Sequence, residues 1–255
     1  MTDLDATWAT HLAPFDAAWE VRLGPEVLAA KDPNRFFSGA SMIKTFIAAL
    51  VSEDLENPIA KRSGVIEIPR HIQAEGDGLL RFTELPTELT IDQLLMLMIA
   101  VSDNTATTAL VERLGGVEAV NTRLAARGWD SRVWLYAGQG DGKFSSVSLA
   151  EHQAALASIT DPAIRVMFRA QQDRRSLARW LEFDAPFEHK TGTTEGVRHD
   201  AGVLQTERGE LWVGAFTDGG PEAEYIDHPA CVAIGAAMRD TLRALGLSTL
   251  LANQA

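Results

Sequence analysis

The sequence predicts an α+β fold: an antiparallel sheet built from both chain termini, flanked by helices, with an all-α lobe inserted between its halves. Three observations carry that expectation. Two strand-like segments stand near the start, and three more follow one another in the C-terminal third. The residues between them carry apolar side chains at helical spacing.

In chain order, Leu4 to Leu12 reads as a first helix, and Ala17 to Leu23 and Glu26 to Ala30 as strands turning at Gly24-Pro25. Ser41 to Leu55 sets Ile43, Phe46, Ile47, Leu50 and Val51 at helical spacing, which predicts a buried or half-buried helix. Residues 57–88 are polar and broken by Gly64, Gly76 and Gly78, so loops with one short helix are expected. Thr90 is the expected N-cap of an apolar helix from Ile91 to Val101. Further helices are expected over Thr105 to Leu114, Val117 to Arg127, Ser148 to Ile159 and Ala163 to Ala170, with an irregular glycine-rich stretch from Trp129 to Phe144. Phe187 to Gly192, Arg198 to Gln205 and Glu210 to Thr217 read as strands, and a last helix runs from about His228 to Leu245. This predicts a single domain, with an α/β lobe of about 1–40 and 185–255 and a helical lobe of about 41–184.

A chain of 255 residues, 46% apolar and 23% charged, can bury a sizeable core. The formal charge of −12 argues against a nucleic-acid or anionic-membrane surface, so the expected partner is a small molecule, met by a monomer or weak dimer. Cys231 is the only cysteine, which excludes an intrachain disulfide and a thiolate metal cage; its apolar surroundings predict a buried thiol. His11, His71, His152, His189 and His228 show no ligand spacing, and no metal or other cofactor is expected. The segment Met1-Thr2-Asp3-Leu4-Asp5 lacks the basic and apolar regions of a secretory signal. A cytoplasmic protein is expected; a periplasmic or extracellular one would require a leader already removed.

Three short elements stand in order: Ser41-Met42-Ile43-Lys44 (S-x-x-K), Ser102-Asp103-Asn104 (S-D-N) and Lys190-Thr191-Gly192 (K-T-G). Singly, each has a plain structural reading: a helix cap and a solvated lysine, a helix-breaking turn, and a strand end. Together they supply what acylating a serine requires, namely a nucleophile, a proton acceptor, a proton path to the leaving nitrogen and an oxyanion cradle. Ser41 opens a helix, where unpaired N–H groups favour negative charge, and Lys44 lies one turn on, on the same face. Desolvation and a neighbouring cation such as Lys190 would fit Lys44 to act as a base. Ser102 can shuttle a proton, and Asn104 can hold a substrate carbonyl and steady Lys44. Asp103 is expected to organise the turn. Lys190 and Thr191, with Gly192, would meet a substrate carboxylate, and the Thr193 N–H would be the second oxyanion donor beside that of Ser41.

The chain resembles the class A β-lactamase family, and more closely its β-lactamase-like serine hydrolase outliers. Beyond the triplets, the run from Leu94 through Ser102-Asp103-Asn104 to Thr107 is similar to the family's second element with its flanks. His189-Lys190-Thr191-Gly192, continuing to Val197-Arg198-His199-Asp200-Ala201-Gly202, is similar to the third element and the strand after it. The resemblance covers roughly Phe15 to Leu245. It implies the β-lactamase/transpeptidase-like fold, an active site between the lobes, and Ser41 as the acylated nucleophile.

The family's E-x-x-L-N loop is missing: Trp134 to Phe144 is short and holds no glutamate. The group that would activate water for deacylation is therefore absent or replaced. Asp141 is a possible substitute or a solvated turn carboxylate. Arg198 could bind a substrate carboxylate or pair with Asp200, and His199 could act as acid or base near neutral pH. His189 is expected to pack, and Trp129, Trp134 and Tyr136 could line the cleft or fill the core. Three functions follow: a β-lactamase-type serine hydrolase with slow deacylation, a D,D-peptidase or esterase, or a non-turnover β-lactam- or ligand-binding module.

Overall fold

The structure is a computed structural model describing residues 3–56, 62, 64–135, 144–219 and 228–252. Helix α1 (Leu4–Leu12) is capped by Asp3, whose carboxylate accepts the Ala6 N–H. Strands β1 (Asp16–Leu23) and β2 (Glu26–Lys31) form a hairpin through Gly24, whose φ of +55° suits a residue without a Cβ. β3 (Phe36–Ser38) then leads into a single 3-10 turn at Ala40–Met42 and helix α2 (Ile43–Leu55). Every residue of α2 from Ile43 to Ser52 is buried, so this helix is the centre of the molecule rather than one of its faces.

β4 (Val65–Ile68) and β5 (Thr87–Thr90) pair as an antiparallel ribbon, with 3-10 turns at Arg70–Ile72 and Leu80–Phe82 between them. This corrects the expectation of loops with one short helix over 57–88. Its strands are four residues long and pair across about twenty residues, so no local periodicity announces them. Thr90 caps α3 (Ile91–Ala100) in a full capping box with Gln93. Helices α4 (Asn104–Arg113) and α5 (Val117–Ala126) follow. Strand β6 (Ser146–Ser148) pairs with β3, and helices α6 (Leu149–Ser158) and α7 (Pro162–Arg169) complete the helical part. Helix α7 starts one residue before its expected position because Pro162 suits the first helical position.

The C-terminal strands β7 (Phe187–Thr194), β8 (Val197–Thr206) and β9 (Gly209–Asp218) join the N-terminal pair in one antiparallel sheet of order β2-β1-β9-β8-β7. The two ends of the chain meet where β1 lies along β9, from Asp16↔Asp218 to Leu23↔Leu211. The last helix, α8 (Pro229–Ala244), packs with α1 on one face of the sheet through Trp8, Trp19, Val213, Ile234 and Met238. The opposite face presents Ala18, Ala201, Trp212 and Phe216 to α2 and the other helices. No described helix is long and apolar enough to cross a membrane.

Strand β7 is one edge of the sheet, and its position fixes half of the site. Glu188, almost fully buried on it, binds Arg165 and Arg169 of α7 and so ties the edge to the helical side. On β8, Gly202 lies so close to β7 that an added Cβ would sit 2.2 Å from the Glu188 carbonyl oxygen. Gly202→Ala should therefore lower stability by about 1–3 kcal/mol. The urea midpoint measures it, and an unchanged midpoint would contradict this packing.

Candidate active site

The turn that carries Ser41 is held at both ends. The Gly39 N–H donates to the Ser145 carbonyl at 2.7 Å, and the Met42 N–H closes the 3-10 turn on Gly39 at 2.9 Å. At the second position of α2, one turn after Ser41, Lys44 is 2% exposed. Its Nζ lies 3.0 Å from Ser41 Oγ, 3.0 Å from Ser102 Oγ, 2.6 Å from the Ser102 carbonyl and 2.8 Å from Asn104 Oδ1. Burial holds its pKa well below the ordinary lysine value and the nearby charge of Lys190 lowers it further, while Asp77 and Asp103 oppose both. A neutral amine among these hydroxyls can accept a proton from either.

The S-D-N element is the break between α3 and α4. Ser102 has a φ of +58°, a left-handed conformation that costs an ordinary side chain about 1–2 kcal/mol and turns its hydroxyl toward Lys44. Asp103, fully buried, holds this bend in place. Its Oδ1 caps α4 by accepting the Ala106 N–H at 2.8 Å, and its Oδ2 accepts from the N–H groups of Leu79 at 2.6 Å and Leu80 at 2.8 Å. Asn104 gives its Oδ1 to Lys44 and donates from Nδ2 to the Glu75 carbonyl at 2.8 Å.

The K-T-G element lies on β7. Lys190 is fully buried and donates to Ser102 Oγ at 3.2 Å and to the Thr191 carbonyl at 2.9 Å. Burial pushes its pKa down to about 8, against the opposing charges of Asp173, Asp200 and Asp77. Gly192 lets the strand approach the Ser41 turn, since a Cβ there would lie 2.8 Å from Met42 Cγ. Thr193 precedes the pair Thr194↔Val197 that closes the β7–β8 hairpin. Its N–H therefore turns away from β8, toward the open edge. Ser41, Lys44, Asn104, Thr193 and Arg198 line one cavity of about 830 Å³. Ser41, Ser102, Thr191 and Thr193 line an adjoining one of about 340 Å³. Ser41 thus stands where two lobes of one cleft meet.

Other candidates fall elsewhere. Arg198 is buried on the cleft wall and donates from Nη1 to the carbonyls of Thr194 and Val197, both at 2.7 Å. His199, a possible acid or base by sequence, is held away from the cleft. Its Nε2 donates to the Ser38 carbonyl at 2.9 Å, its Nδ1 accepts the Thr217 N–H at 3.2 Å, and its ring stacks on Phe216, away from the cleft lining. Asp200 pairs not with Arg198 but with His189 Nδ1, at 2.8 Å, and also accepts the Leu177 N–H; His189 stacks on Phe187. Trp129 packs against Phe46 in the core, whereas Trp134 lines the cleft. Asp141 and Tyr136 lie outside the described residues. Cys231 is buried, which pushes its thiol pKa up. Among the described residues no cluster could hold a metal ion. Asp77, unanticipated from the sequence, lines both lobes. The only hint was its place between two glycines in a stretch read as loop.

A family model described as the β-lactamase enzyme family matches residues 21–242. Among solved structures, a β-lactamase from Sphaerobacter thermophilus is 26% identical with a TM-score of 0.82, over 96% of this chain and 97% of that one. PBP-A is 21% identical with a TM-score of 0.80, over 96% and 97%. A class A β-lactamase from Mycobacterium abscessus is 17% identical with a TM-score of 0.80, over 95% and 99%. No curated protein matches the sequence.

The buried histidines give the fold an acid limit. Burial lowers the His199 pKa from 6.5 to about 4 and that of His152, bonded to Thr45 Oγ1, to about 3. Below pH 6.5 the unfolded chain takes up these protons first, so stability falls as the pH drops toward 4. For His199 alone the loss is roughly 3 kcal/mol. Urea denaturation at pH 7.5 and 4.5 should show it, and His199→Phe should flatten the slope. Parallel profiles for the two proteins would contradict the assignment.

Proposed function

Because the chain belongs to the β-lactamase enzyme family, we propose that it is a serine hydrolase whose Ser41 is acylated by a β-lactam, or a related amide or ester, and then released slowly. The observation that carries this reading is the Lys44 amine, 3.0 Å from the hydroxyls of both Ser41 and Ser102. Lys44 takes the Ser41 proton as Oγ attacks the carbonyl carbon. The N–H groups of Ser41 and Thr193 receive the oxyanion. As the C–N bond breaks, the proton passes from Lys44 through Ser102 to the leaving nitrogen. Lys190, donating to Ser102 Oγ, orients that relay and with Thr191 draws a substrate carboxylate into the smaller lobe. Arg198 adds a cation to the wall of the larger lobe.

Release requires a base that activates water, and no glutamate stands between Trp134 and Phe144. Losing such a base slows a step by about two to four orders of magnitude. The same absence favours, as second reading, a protein that binds and holds a β-lactam without turnover.

Incubation with a fluorescent penicillin should give a long-lived adduct, mapped to Ser41 by peptide mass spectrometry and lost in Ser41→Ala. An unchanged intact mass after long exposure to penicillins, cephalosporins and activated esters would refute the proposal. Lys44→Ala should slow acylation by about a hundredfold or more. The acylation rate should rise with pH as the buried amines lose their first proton, well below the usual lysine range. It should fall again once Lys190 is neutral, near its value of about 8. The two limbs belong to the coupled pair. A rate that climbs steadily to pH 10 would contradict this arrangement.

A further inference from the structure

Between Glu75 and Leu80 the chain lies against the S-D-N turn. The Asn104 N–H donates to the Asp77 carbonyl at 3.0 Å, and Asn104 Nδ2 donates to the Glu75 carbonyl at 2.8 Å. Asp103 takes the N–H groups of Leu79 and Leu80, and Arg81 bonds the Gly76 carbonyl. Gly76 and Gly78 have φ values of +90° and +117°. A Cβ on Gly76 would lie 2.7 Å from Asn104 Nδ2, and one on Gly78 would lie 2.4 Å from the Asp103 carboxyl. The backbone of Asp77 is thus clamped to the turn that presents Ser102 and Asn104.

Its side chain is not. Asp77 is exposed, and among the described residues its carboxylate makes no hydrogen bond or ion pair. It lines both lobes of the cleft together with Ser41 and Thr193. Lys44 and Lys190 sit beneath the surface, 2% and 0% exposed, whereas Asp77 stands at the mouth. Its negative charge reaches both lysines, opposing the lowering of their pKa values. A substrate bound at Ser41 therefore meets a carboxylate whose backbone is fixed and whose oxygens are free to bond.

We propose that Asp77 is a specificity-determining residue, favouring substrates that carry an ammonium group on the acyl side of the scissile bond and disfavouring those with a carboxylate there. The inference rests on the acylation of Ser41 proposed above and adds the substrate class. The preferred ligand is a zwitterion. Its carboxylate enters the smaller lobe at Thr191, above the buried Lys190, and its acyl-side ammonium meets Asp77 where the lobes join. In an exposed setting such a pairing changes the acylation rate about threefold to fivefold in each direction.

The test uses three penicillins that differ in charge at the acyl α-carbon: ampicillin (ammonium), benzylpenicillin (neutral) and carbenicillin (carboxylate). Their second-order acylation rates are read by quenched-flow intact mass, each relative to benzylpenicillin on the same protein. Asp77→Asn and Asp77→Ser should bring the ampicillin ratio down and the carbenicillin ratio up, each by about threefold to fivefold. High salt should compress the spread for the unsubstituted protein but not for the variants. Taking ratios cancels the reactivity of each β-lactam and any effect of Asp77 on the lysines. Ratios unchanged in both variants would overturn the role of Asp77 alone. Failure of all three penicillins to acylate the protein would overturn it together with the Ser41 reading.

Discussion

Two lysine ammonium groups buried in one cleft are the constraint around which the rest of the molecule is arranged. Among the described residues, neither Lys44 nor Lys190 has an ion-paired carboxylate within bonding distance; both are solvated by hydroxyl, carbonyl and amide oxygens. Burying a charge this way is unfavourable unless oxygens replace its hydration shell or the group gives up its proton. Here both happen. The oxygens of Ser41, Ser102, Asn104 and Thr191 surround the amines, and both pKa values fall. The two lysines, alike in type, thus come to differ from solvated lysines in how readily they give up a proton.

That arrangement demands rigidity from its neighbours. Ser102 holds a left-handed backbone, which persists because Asp103 binds the N-terminus of α4 on one side and the 79–80 backbone on the other. On the sheet, Glu188 and its two arginines fix the edge strand that brings Lys190 to Ser102. The 3-10 turn bearing Ser41 and the largely buried helix α2 bearing Lys44 lie between these supports. Away from the cleft an apolar core packs around α2, and each buried Leu, Ile or Phe in that core contributes about 1.5–3 kcal/mol. Strain at one residue is thus offset by packing spread over many.

How much of this the sequence disclosed depended on how local each signal was. The helix from Ile91, its cap at Thr90 and the three C-terminal strands were legible because capping, periodicity and alternation act over a few residues. The three motifs were legible because each is a contiguous run that one turn or one strand end can present. The β4–β5 ribbon was not, since its strands pair at long range. Nor was the partner of Asp200, which lies across the β7–β8 ladder rather than beside it in sequence. His199 looked like a titrating group because sequence shows neither burial nor which atoms occupy its two nitrogens. Asp77 went unnoticed because its standing comes from hydrogen bonds to a turn some 25 residues away.

The depressed basicity of the paired lysines is the claim on which nucleophile activation, proton relay and pH dependence all rest. A carbon-13 NMR titration of the lysine side chains, with Lys44 and Lys190 assigned by single substitution, measures it directly. The account predicts that Lys44 titrates well below the ordinary value of 10.5 and Lys190 near 8. Two resonances that both titrate near 10.5, like solvated lysines, would contradict it.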